Sequence, residues 1–464
     1  MSNPGDTDET PLESVRQMAE YLAAGCKPRS AYRIGTEHEK FGFRLDDFAT
    51  PPYAPADGQP GSIRDMLRAL VTQRGSGGGG EPILDSGNII GLKQNGAAIS
   101  LEPAGQLELS GAPLIDLHAT KTELEDHFAA VRAVSEPLRM GFAPLGFHPT
   151  ATRAAMPWMP KGRYAIMRRY MQLVGSMGLD MMTRTCTVQV NLDYASEADM
   201  RRKLRVSLLL QPLATALFAN SPFTEGKPNG FLSYRAHVWT DTDNQRSGIP
   251  AVMFEDGFGF ERYAAWVIER IPMYFVYRDG RYIDVAGRSF LDFMAGRIPE
   301  LAAMTPTLGD FADHVTTVFT DVRLKRFLEM RGADAGSPEM MVALSALWVG
   351  LLYDDAALAA AEALLAGAGW QDATEARAAV PRLGLAAPWR GHTLRDIASD
   401  VVAIAADGLR ARNCRNAQGQ DEAVLLEPLR AIAAGGPTQA EAWLTRYHGA
   451  WGGDVRPIFT EAAI

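Results

Sequence analysis

The segment IIGLKQNGAAISLEPAGQLELSG, residues 89–111, is the part of the sequence that best indicates the fold class. It alternates short β-type runs with turn residues, namely QNG at 94–96 and PAG at 103–105. Runs of this kind are typical of antiparallel strands that follow one another as a meander. Elsewhere strands and helices mix without the regular alternation of a doubly wound fold. The sequence therefore predicts an α+β fold, a mainly antiparallel sheet flanked by helices, with one sheet face open for a site.

Around this meander the chain is expected to divide into three parts. Residues 1–24 are predicted to form an N-terminal tail and helix, and residues 25–335 the antiparallel-sheet domain that carries the candidate site. Residues 336–464 are rich in alanine and leucine, which predicts a helical C-terminal region packed on that domain. The glycine run at 75–80 predicts a flexible surface loop and lacks the lysine and Ser/Thr of a phosphate-binding loop.

Helical spacing predicts long helices at 117–140 and 201–220. Alternating apolar and polar residues predict strands at 32–44 and 185–194, and a shorter strand near 327–331.

Composition limits the classes of protein to consider. The 464 residues are 47% hydrophobic and 22% charged, which is ordinary for a globular enzyme. A net charge of −9 argues against nucleic acid as a partner. The polar, acidic N-terminus lacks a secretion signal, and no long apolar run predicts a membrane span, so a cytoplasmic location is expected. Three cysteines far apart indicate neither a disulfide framework nor a zinc site.

The strand RIGTEHEKFGF, residues 33–43, carries the first candidate site residues. Strand alternation places Glu37 and Glu39 on one face and His38 and Lys40 on the other. At an effective dielectric of about 20, two carboxylates ~6–7 Å apart repel by roughly 2–3 kcal/mol. A cation would relieve this repulsion. A solvated edge strand with lysine neighbours is the alternative interpretation.

A second acidic element, SLEPAGQLELSG at 100–111, carries Glu102 and Glu108 on either side of a Pro-Ala-Gly break. Leucines flank both glutamates, which indicates that one face of each short strand is core and the other holds the acid. Four carboxylates on apolar strands are costly to bury unless they bind a metal ion.

Two further elements extend this pattern. In TCTVQVNLDY, residues 185–194, Gln189 belongs to the polar face of an alternating strand, although a strand with one face in solvent has the same pattern. In RFLEMRGAD, residues 326–334, Glu329 and Arg331 share a face, and a simple salt bridge is the alternative there. Oxygen ligands of these kinds favour Mg²⁺ or Mn²⁺ over zinc or copper, and magnesium with carboxylates indicates phosphate chemistry.

Cations that can hold an anionic substrate are plentiful. Arginine is well suited to carboxylates and phosphates because its fork binds two oxygens at once. The candidates are Lys161, Arg163, Arg168, Arg169, Arg184 and Arg235.

Seven motifs together resemble the glutamate-cysteine ligase family of plants and α-proteobacteria. The resemblance runs from about residue 21 to the C-terminus. It implies a fold similar to that of glutamine synthetase and the guanido kinases. The motifs are RIGTEHEKFGF, GLKQNGAAISLEPAGQLELSGAP, MPKGRYAIMRRYM, MGLDMMTRTCTVQVNLDY, NSPF, YRAHVWTDTD and RLKRFLEMRGAD.

The resemblance also implies roles for individual residues. Two or three Mg²⁺ ions, which Mn²⁺ can replace, are expected to be bound by Glu37, Glu39, Glu102, Glu108, Gln189 and Glu329. Arg163 and Arg235 resemble the substrate-binding arginines of the family, with Arg163 also catalytic, and Arg331 resembles the arginine that meets the transferred phosphoryl group. Tyr274 is expected to line the substrate pocket.

The implied activity is ATP-dependent joining of the γ-carboxylate of L-glutamate to the amine of L-cysteine through γ-glutamyl phosphate, by a monomer or homodimer. Plant members are regulated through disulfides, and the cysteines at 26, 186 and 414 offer no obvious matching pair. Three alternatives stay open from the residues: a related ligase with another amine acceptor, a metal-dependent phosphohydrolase and a non-catalytic nucleotide-binding protein.

Overall fold

The structure is a computed structural model that describes residues 8–55, 61–73 and 79–464. The first seven residues of the predicted tail and most of the predicted glycine loop, residues 75–78, lie outside the described residues.

Most strands are short. In chain order they are β1 Ile34–Arg44, β2 Glu81–Asp85, β3 Asn88–Gln94, β4 Ala97–Leu101, β5 Leu107–Ser110, β6 Met140–Ala143, β7 Thr187–Leu192, β8 Phe223–Thr224, β9 Lys227–Pro228, β10 Ser247–Gly248, β11 Phe275–Arg278, β12 Arg281–Asp284, β13 Phe319–Thr320, β14 Val322–Leu324, β15 Leu328–Asp334, β16 Pro388–Trp389 and β17 His392–Thr393.

Helices lie both between the strands of the sheet and after its last strand. They are α1 Val15–Ala23, α2 Ile63–Thr72, α3 Leu117–Ser135, α4 Gly162–Val174, α5 Gly178–Arg184, α6 Glu197–Leu217, α7 Tyr234–Val238, α8 Phe260–Arg270, α9 Phe290–Met294, α10 Leu308–Thr316, α11 Pro338–Leu352, α12 Asp355–Leu364, α13 Trp370–Leu383, α14 Leu394–Arg412, α15 Glu427–Ala433, α16 Gln439–His448 and α17 Ile458–Glu461. Short 3₁₀ turns lie at Arg29–Ala31, Arg153–Ala155, Ala251–Phe254, Pro299–Leu301, Gly384–Ala386 and Glu422–Leu426.

A nine-stranded sheet forms the centre of the molecule. Its strand order is β14-β15-β7-β1-β5-β4-β3-β2, with β6 also paired to β1. Every pairing within it is antiparallel, and β2 to β5 follow one another as the predicted meander. The predicted α+β class with a mainly antiparallel sheet is confirmed.

Helices cover one face of the sheet, where the apolar side chains of the strands gather. Val188 and Val190 of β7 are fully buried and belong to the same hydrophobic cluster as Leu344 and Trp348 of α11. Helix α11 is buried on almost all sides, as expected of a helix whose sequence is apolar all round. Because the C-terminal helices share this cluster with the strands, they pack directly on the sheet. The three-part division of the chain stays a prediction.

Some predicted boundaries are wrong. The helix expected at 117–140 ends at Ser135, and the chain then forms β6 from Met140. The short helices α5 and α7 and the β11–β12 hairpin were not predicted, because elements of four to seven residues carry too little periodicity to be read from the sequence.

Within the described residues, no single helix has both the length and the apolar composition needed to cross a membrane. Helices α11 and α12 meet that criterion only as a pair, and they are bent by 91° relative to each other.

Candidate functional site

Strand β1 brings four of the predicted residues together, because its two neighbours carry the others at matching positions. Glu37 pairs in register with Gln189 of β7, and Glu39 pairs with Glu108 of β5. In an antiparallel sheet, residues directly opposite each other place their side chains on the same face about 4.5–5.5 Å apart. Alternation along one strand predicted that two acids, Glu37 and Glu39, share a face. The structure adds Gln189 and Glu108 to that face from the two neighbouring strands.

Glu102 reaches the same face from the turn between β4 and β5. Gly105 adopts a positive φ of 86°, which glycine tolerates without strain, and the turn closes with a hydrogen bond from the Gly105 amide to the Glu102 carbonyl of 2.9 Å. The carbonyl of Leu101 accepts hydrogen bonds from the Tyr164 hydroxyl at 2.8 Å and from Lys161 Nζ at 3.2 Å. The turn is therefore fixed from the α4 side.

A β-bulge aims Arg331. The β15–β7 register shifts between Met330 and Ala333, so Arg331 and Gly332 together lie opposite one residue of β7. The Arg331 carbonyl accepts hydrogen bonds from Arg235 Nη2 at 3.0 Å and from the Thr187 hydroxyl at 3.3 Å. These contacts fix the bulged backbone beside β7.

The site is a cavity of about 960 Å³, counting its open mouth. Acidic, amide and cationic side chains share its wall with a few apolar ones. Of the residues predicted from the sequence, the cavity wall contains Glu37, Glu39, Glu102, Glu108, Gln189, Arg163, Arg235 and Arg331.

Arg235 is held in the wall by helix α7. The Ser233 hydroxyl caps this helix by accepting a hydrogen bond from the Ala236 amide at 3.1 Å, and it donates to Asp334 at 2.8 Å. Arg163 is the second residue of α4, and its guanidinium lies over the ring of Tyr164 at 5.5 Å. The other basic candidates of the same stretch, Arg168, Arg169 and Arg184, do not belong to the wall.

Two cations of the wall, Arg323 and Lys325, were missed in the sequence. They alternate in RLK at 323–325, a pattern that places both on one face of strand β14 or its extension. Arg323 pairs in register with Glu329. Because β14 has only three residues, its alternation is too short to be recognised in the sequence.

Burial and mutual repulsion set the protonation of the facing carboxylates. Burial raises the pKa of Glu108 to about 8, and the negative charges of Glu102 and Glu37 add to the effect. The pKa of Glu39 is raised well above its usual range by burial and by Glu102 and Glu108, although the Thr187 amide donates a hydrogen bond of 2.9 Å to it. The protein's own cations leave this pair undercompensated.

Glu329 is in a different electrostatic state. It is fully buried behind the wall, where Arg323 binds both of its oxygens at 2.5 and 2.9 Å and Arg331 lies 3.0 Å away. Burial alone would raise its pKa, but Arg323, Lys325 and Arg331 lower it well below the usual range. The salt bridge considered as an alternative for Glu329 and Arg331 is present. The metal-ligand role of Glu329 stays a prediction.

Tyr274 does not reach the cavity. Its side chain is buried, its hydroxyl donates a hydrogen bond of 3.1 Å to Asp243, and the guanidinium of Arg246 lies 3.9 Å from its ring centroid. The next residue, Phe275, contributes to the cavity wall instead. The substrate-pocket role predicted for Tyr274 therefore has no support from its position.

The residues between the acids of β1 point away from the cavity, as predicted for His38. Its ring lies edge-on to Phe128 of α3, with the centroids 5.3 Å apart. Lys40 is also on this face, where its Nζ lies 2.8 Å from Nε2 of His127.

The wall has the chemistry of a divalent-cation site. Its donors are carboxylate and amide oxygens, and the Gln189 Oε1 atom is buried without a hydrogen-bond partner among the described residues. Within the described part of the chain, however, no three His, Cys, Asp or Glu side chains converge on one point. This arrangement suits Mg²⁺, which usually takes one or two carboxylates and completes its shell with water and substrate phosphates.

Comparisons with known proteins agree on one family. The model of glutamate-cysteine ligase family 2 (GCS2) matches residues 33–461. Chloroplastic glutamate–cysteine ligase B of Oryza sativa subsp. japonica is 48% identical over 460 residues, covering 97% of this chain and 89% of the relative. The chloroplastic enzyme of Nicotiana tabacum is 49% identical over 441 residues, covering 95% of this chain and 81% of the relative.

A solved structure shares the fold. The crystal structure of glutamate–cysteine ligase from Francisella tularensis in complex with AMP superposes with a TM-score of 0.55 and covers 93% of this chain and 89% of that one. At 11% sequence identity this likeness establishes the fold alone.

One expectation from the sequence is wrong by these comparisons. The relatives are named as chloroplastic enzymes, which contradicts the predicted cytoplasmic location. That prediction rested on missing secretion and membrane-span signals, and the absence of these signals does not distinguish the cytoplasm from an organelle.

Proposed function

The chain belongs to glutamate-cysteine ligase family 2 and joins glutamate to cysteine at the expense of ATP, the first step of glutathione synthesis; on this premise we propose that the acidic cavity is its active site and binds Mg²⁺. The observation that carries the proposal is the register of β1 with β5 and β7, which places Glu39 opposite Glu108 and Glu37 opposite Gln189 on one wall.

The proposed metal set is Glu37, Glu39, Glu102, Glu108 and Gln189, with Glu329 behind it. The facing carboxylates repel each other in a buried site, and a divalent ion would relieve that repulsion. When bound, Mg²⁺ or Mn²⁺ supplies charge neutralisation at the phosphate oxygens of ATP. The proposed number of two or three ions comes from the resemblance of the motifs to the ligase family.

The proposed reaction has two steps. The γ-carboxylate of glutamate attacks the γ-phosphorus of ATP, the bond to the β-phosphate oxygen breaks, and γ-glutamyl phosphate and ADP form. The amine of cysteine then attacks the acyl carbon, the phosphate leaves, and the amine loses a proton. No nucleophile from the protein is needed.

The cations of the wall have distinct tasks in this scheme. Arg163 and Arg235 orient substrate carboxylates, since a guanidinium binds both oxygens of a carboxylate at once. Arg331, held beside Glu329 by their 3.0 Å ion pair, meets the transferred phosphoryl group. Its charge is most useful when negative charge builds up on the phosphoryl oxygens in the transition state.

The nucleoside of ATP is proposed to occupy an open groove next to the cavity. Thr316 and Lys325 belong to the walls of both spaces. The β3–β4 turn, which includes Asn95 and Gly96, also borders this groove. Because Lys325 belongs to both spaces, the triphosphate could extend past it toward the carboxylates of the cavity.

The decisive experiment is Glu108→Gln, which keeps the shape of the side chain and removes one anion. Activity is measured as ADP release together with γ-glutamylcysteine formation, over a series of Mg²⁺ concentrations. We expect kcat to fall by roughly 10²-fold or more and the Mg²⁺ concentration for half-maximal activity to rise at least tenfold. Mn²⁺ bound per chain, counted by electron paramagnetic resonance with a non-hydrolysable ATP analogue, should also fall.

Glu123→Gln is the matched control. Glu123 is a largely buried glutamate of α3 that accepts a hydrogen bond of 2.8 Å from the Ala112 amide, outside the cavity wall. This variant should keep kcat and the Mg²⁺ concentration for half-maximal activity within about twofold of the wild-type values, because Glu123 lies outside the proposed metal site. Retention of most activity and an unchanged metal requirement in Glu108→Gln would contradict the proposed site.

A further inference from the structure

Helix α13 of the C-terminal region is attached to the segment that carries part of the cavity wall. This segment, residues 230–249, includes Arg235 and Trp239, both of which line the cavity. Four residues of α13 form hydrogen bonds with it, at its two ends and at its middle. They are Trp370, Arg377, Pro381 and Arg382.

Arg377 forms the first attachment. Its Nη2 donates a hydrogen bond of 3.3 Å to the Trp239 carbonyl, and its Nε donates one of 2.7 Å to the Asp321 carboxylate. The guanidinium packs against Gly248, where an added Cβ would lie 3.4 Å from Arg377 Cζ. Gly248 has a positive φ of 85°, and its carbonyl accepts a hydrogen bond of 2.9 Å from the Asp321 amide. One side chain thus joins three backbone segments.

The C-terminal end of α13 forms the second attachment. The Pro381 carbonyl accepts hydrogen bonds from the amides of Leu232 at 2.9 Å and Ser233 at 3.0 Å. A carbonyl in the last turn of a helix has no partner within the helix and is available for such bonds. Ser233 is the N-cap of α7, so this contact fixes the start of the helix that carries Arg235.

Asp321 connects Arg377 to Arg331, the residue proposed to meet the transferred phosphoryl group. Its carbonyl accepts a hydrogen bond of 3.1 Å from the Arg331 amide, and the Arg331 carbonyl in turn accepts one of 3.0 Å from Arg235 Nη2. Arg377 itself lies outside the wall of the main cavity. It is therefore linked to two cations of the site without being one of them.

We propose that Arg377 is a positioning residue that holds Arg235 in place for the amino-acid substrate, which gives the helical C-terminal region a part in substrate binding. The proposal rests on the substrate-binding role proposed above for Arg235. The side chains of Arg377 and Asp321 are only 20% and 15% exposed to solvent. Loss of their ion pair therefore leaves a largely buried charge without its partner, and segment 230–249 is expected to shift. Small displacements of a substrate-binding group are costly for the reaction.

The test compares Arg377→Met and Arg377→Lys with Arg235→Lys in full steady-state kinetics. Arg235→Lys identifies the substrate whose KM depends on Arg235. Arg377→Met should raise the KM for that same substrate about tenfold and leave the KM for ATP within about twofold. Arg377→Lys keeps the charge facing Asp321 but not the second hydrogen bond, and should recover part of the loss.

A double-mutant cycle separates positioning from simple destabilisation. If Arg377 acts through Arg235, the Arg377→Met/Arg235→Lys variant should lose much less than the product of the single losses. Multiplicative losses would overturn the proposal. So would a lower Tm with unchanged KM values, because that result assigns Arg377 to stability alone.

Arg410→Met serves as the matched control, because Arg410 of α14 forms an exposed ion pair of 2.7 Å with Asp407 in the same C-terminal region. Its kinetic constants should be unchanged. If Arg235→Lys itself leaves every KM unaltered, the role proposed for Arg235 fails. If Arg235→Lys raises one KM and Arg377→Met does not, only the positioning inference fails.

Discussion

The two faces of strand β1 carry charged residues at alternating positions, yet they neutralise charge in opposite ways. On the cavity face, Glu39 lies opposite Glu108, and burial together with the neighbouring acids raises the pKa of both carboxylates. On the covered face, Lys40 is fully buried beside His127, and burial lowers the pKa of Lys40 to about 7.

This difference shows how a buried charge comes to need a ligand. On the covered face the lysine loses its proton, because burial lowers the pKa of Lys40 to about 7. On the cavity face the carboxylates gain protons, because burial and the neighbouring acids raise the pKa of Glu39 and Glu108. A bound cation would displace those protons, so the open face is where substrate and metal are expected to bind.

The largest effect is expected from changing a cation on the cavity side. Arg331→Lys keeps the positive charge and loses the planar fork, so kcat should fall roughly 100-fold while the KM values change little. Steady-state kinetics with all three substrates measures this split. Arg202→Lys is the control, because Arg202 forms an ion pair with Glu362 on an exposed helix surface, outside the cavity wall. A loss confined to KM would contradict a role in the transition state.

A smaller effect is expected from removing both charged partners of the covered face. Lys40→Met/His127→Leu replaces a buried polar pair by apolar groups of similar size, so the free energy of unfolding should change by less than about 1.5 kcal/mol. Because neither side chain faces the cavity, kcat should stay within about threefold. Urea unfolding and steady-state assays measure the two quantities.

The single variant His127→Leu supplies the contrast for that pair. It leaves Lys40 Nζ buried without its 2.8 Å partner and should be less stable than the double variant. A double variant that loses activity by a factor of 100 would show that the two faces are not independent.

The smallest effect concerns acid sensitivity. Burial, with Lys40 and His38 nearby, lowers the pKa of His127 well below its usual value. Below about pH 6.5 the unfolded chain therefore binds a proton that the folded protein does not, and stability falls as the pH falls. His127→Gln keeps a hydrogen-bond acceptor for Lys40 and cannot titrate. Between pH 6.5 and 5, the free energy of unfolding of this variant should fall less steeply with decreasing pH than that of the wild type. The two slopes should differ by about 1 kcal/mol per pH unit.

Urea unfolding at several pH values measures that slope. Parallel curves for the two proteins would mean that His127 is protonated in the folded state, contrary to its buried position.

Much of the site was predictable because strand geometry is a local property. Alternation alone separated Glu37 and Glu39 from His38, and the turn residues at 94–96 and 103–105 indicated the meander that places Glu108 near them. The resemblance of the motifs assigned roles to Gln189, Arg163, Arg235 and Arg331, all of which belong to the cavity wall.

The remainder depended on contacts between distant parts of the chain. Arg323 and Lys325 were missed, and Tyr274 points to Asp243 rather than to the cavity. No spacing in the sequence indicates which of two neighbouring side chains a short strand turns inward. The hydrogen bond between Arg377 and Asp321 joins residues 56 positions apart, and the sequence does not predict it either.

The strand alternation, the antiparallel class and the candidate acids could be predicted from short stretches of sequence, because alternation follows from backbone geometry over a few residues. Which of these acids are compensated depends on contacts that form only in the folded chain. Glu329 is neutralised by Arg323 and Arg331, whereas Glu39 and Glu108 face each other. The physical reason is that a carboxylate's charge state depends on the partners that the sheet register and the bulge at Arg331 bring within a few ångströms.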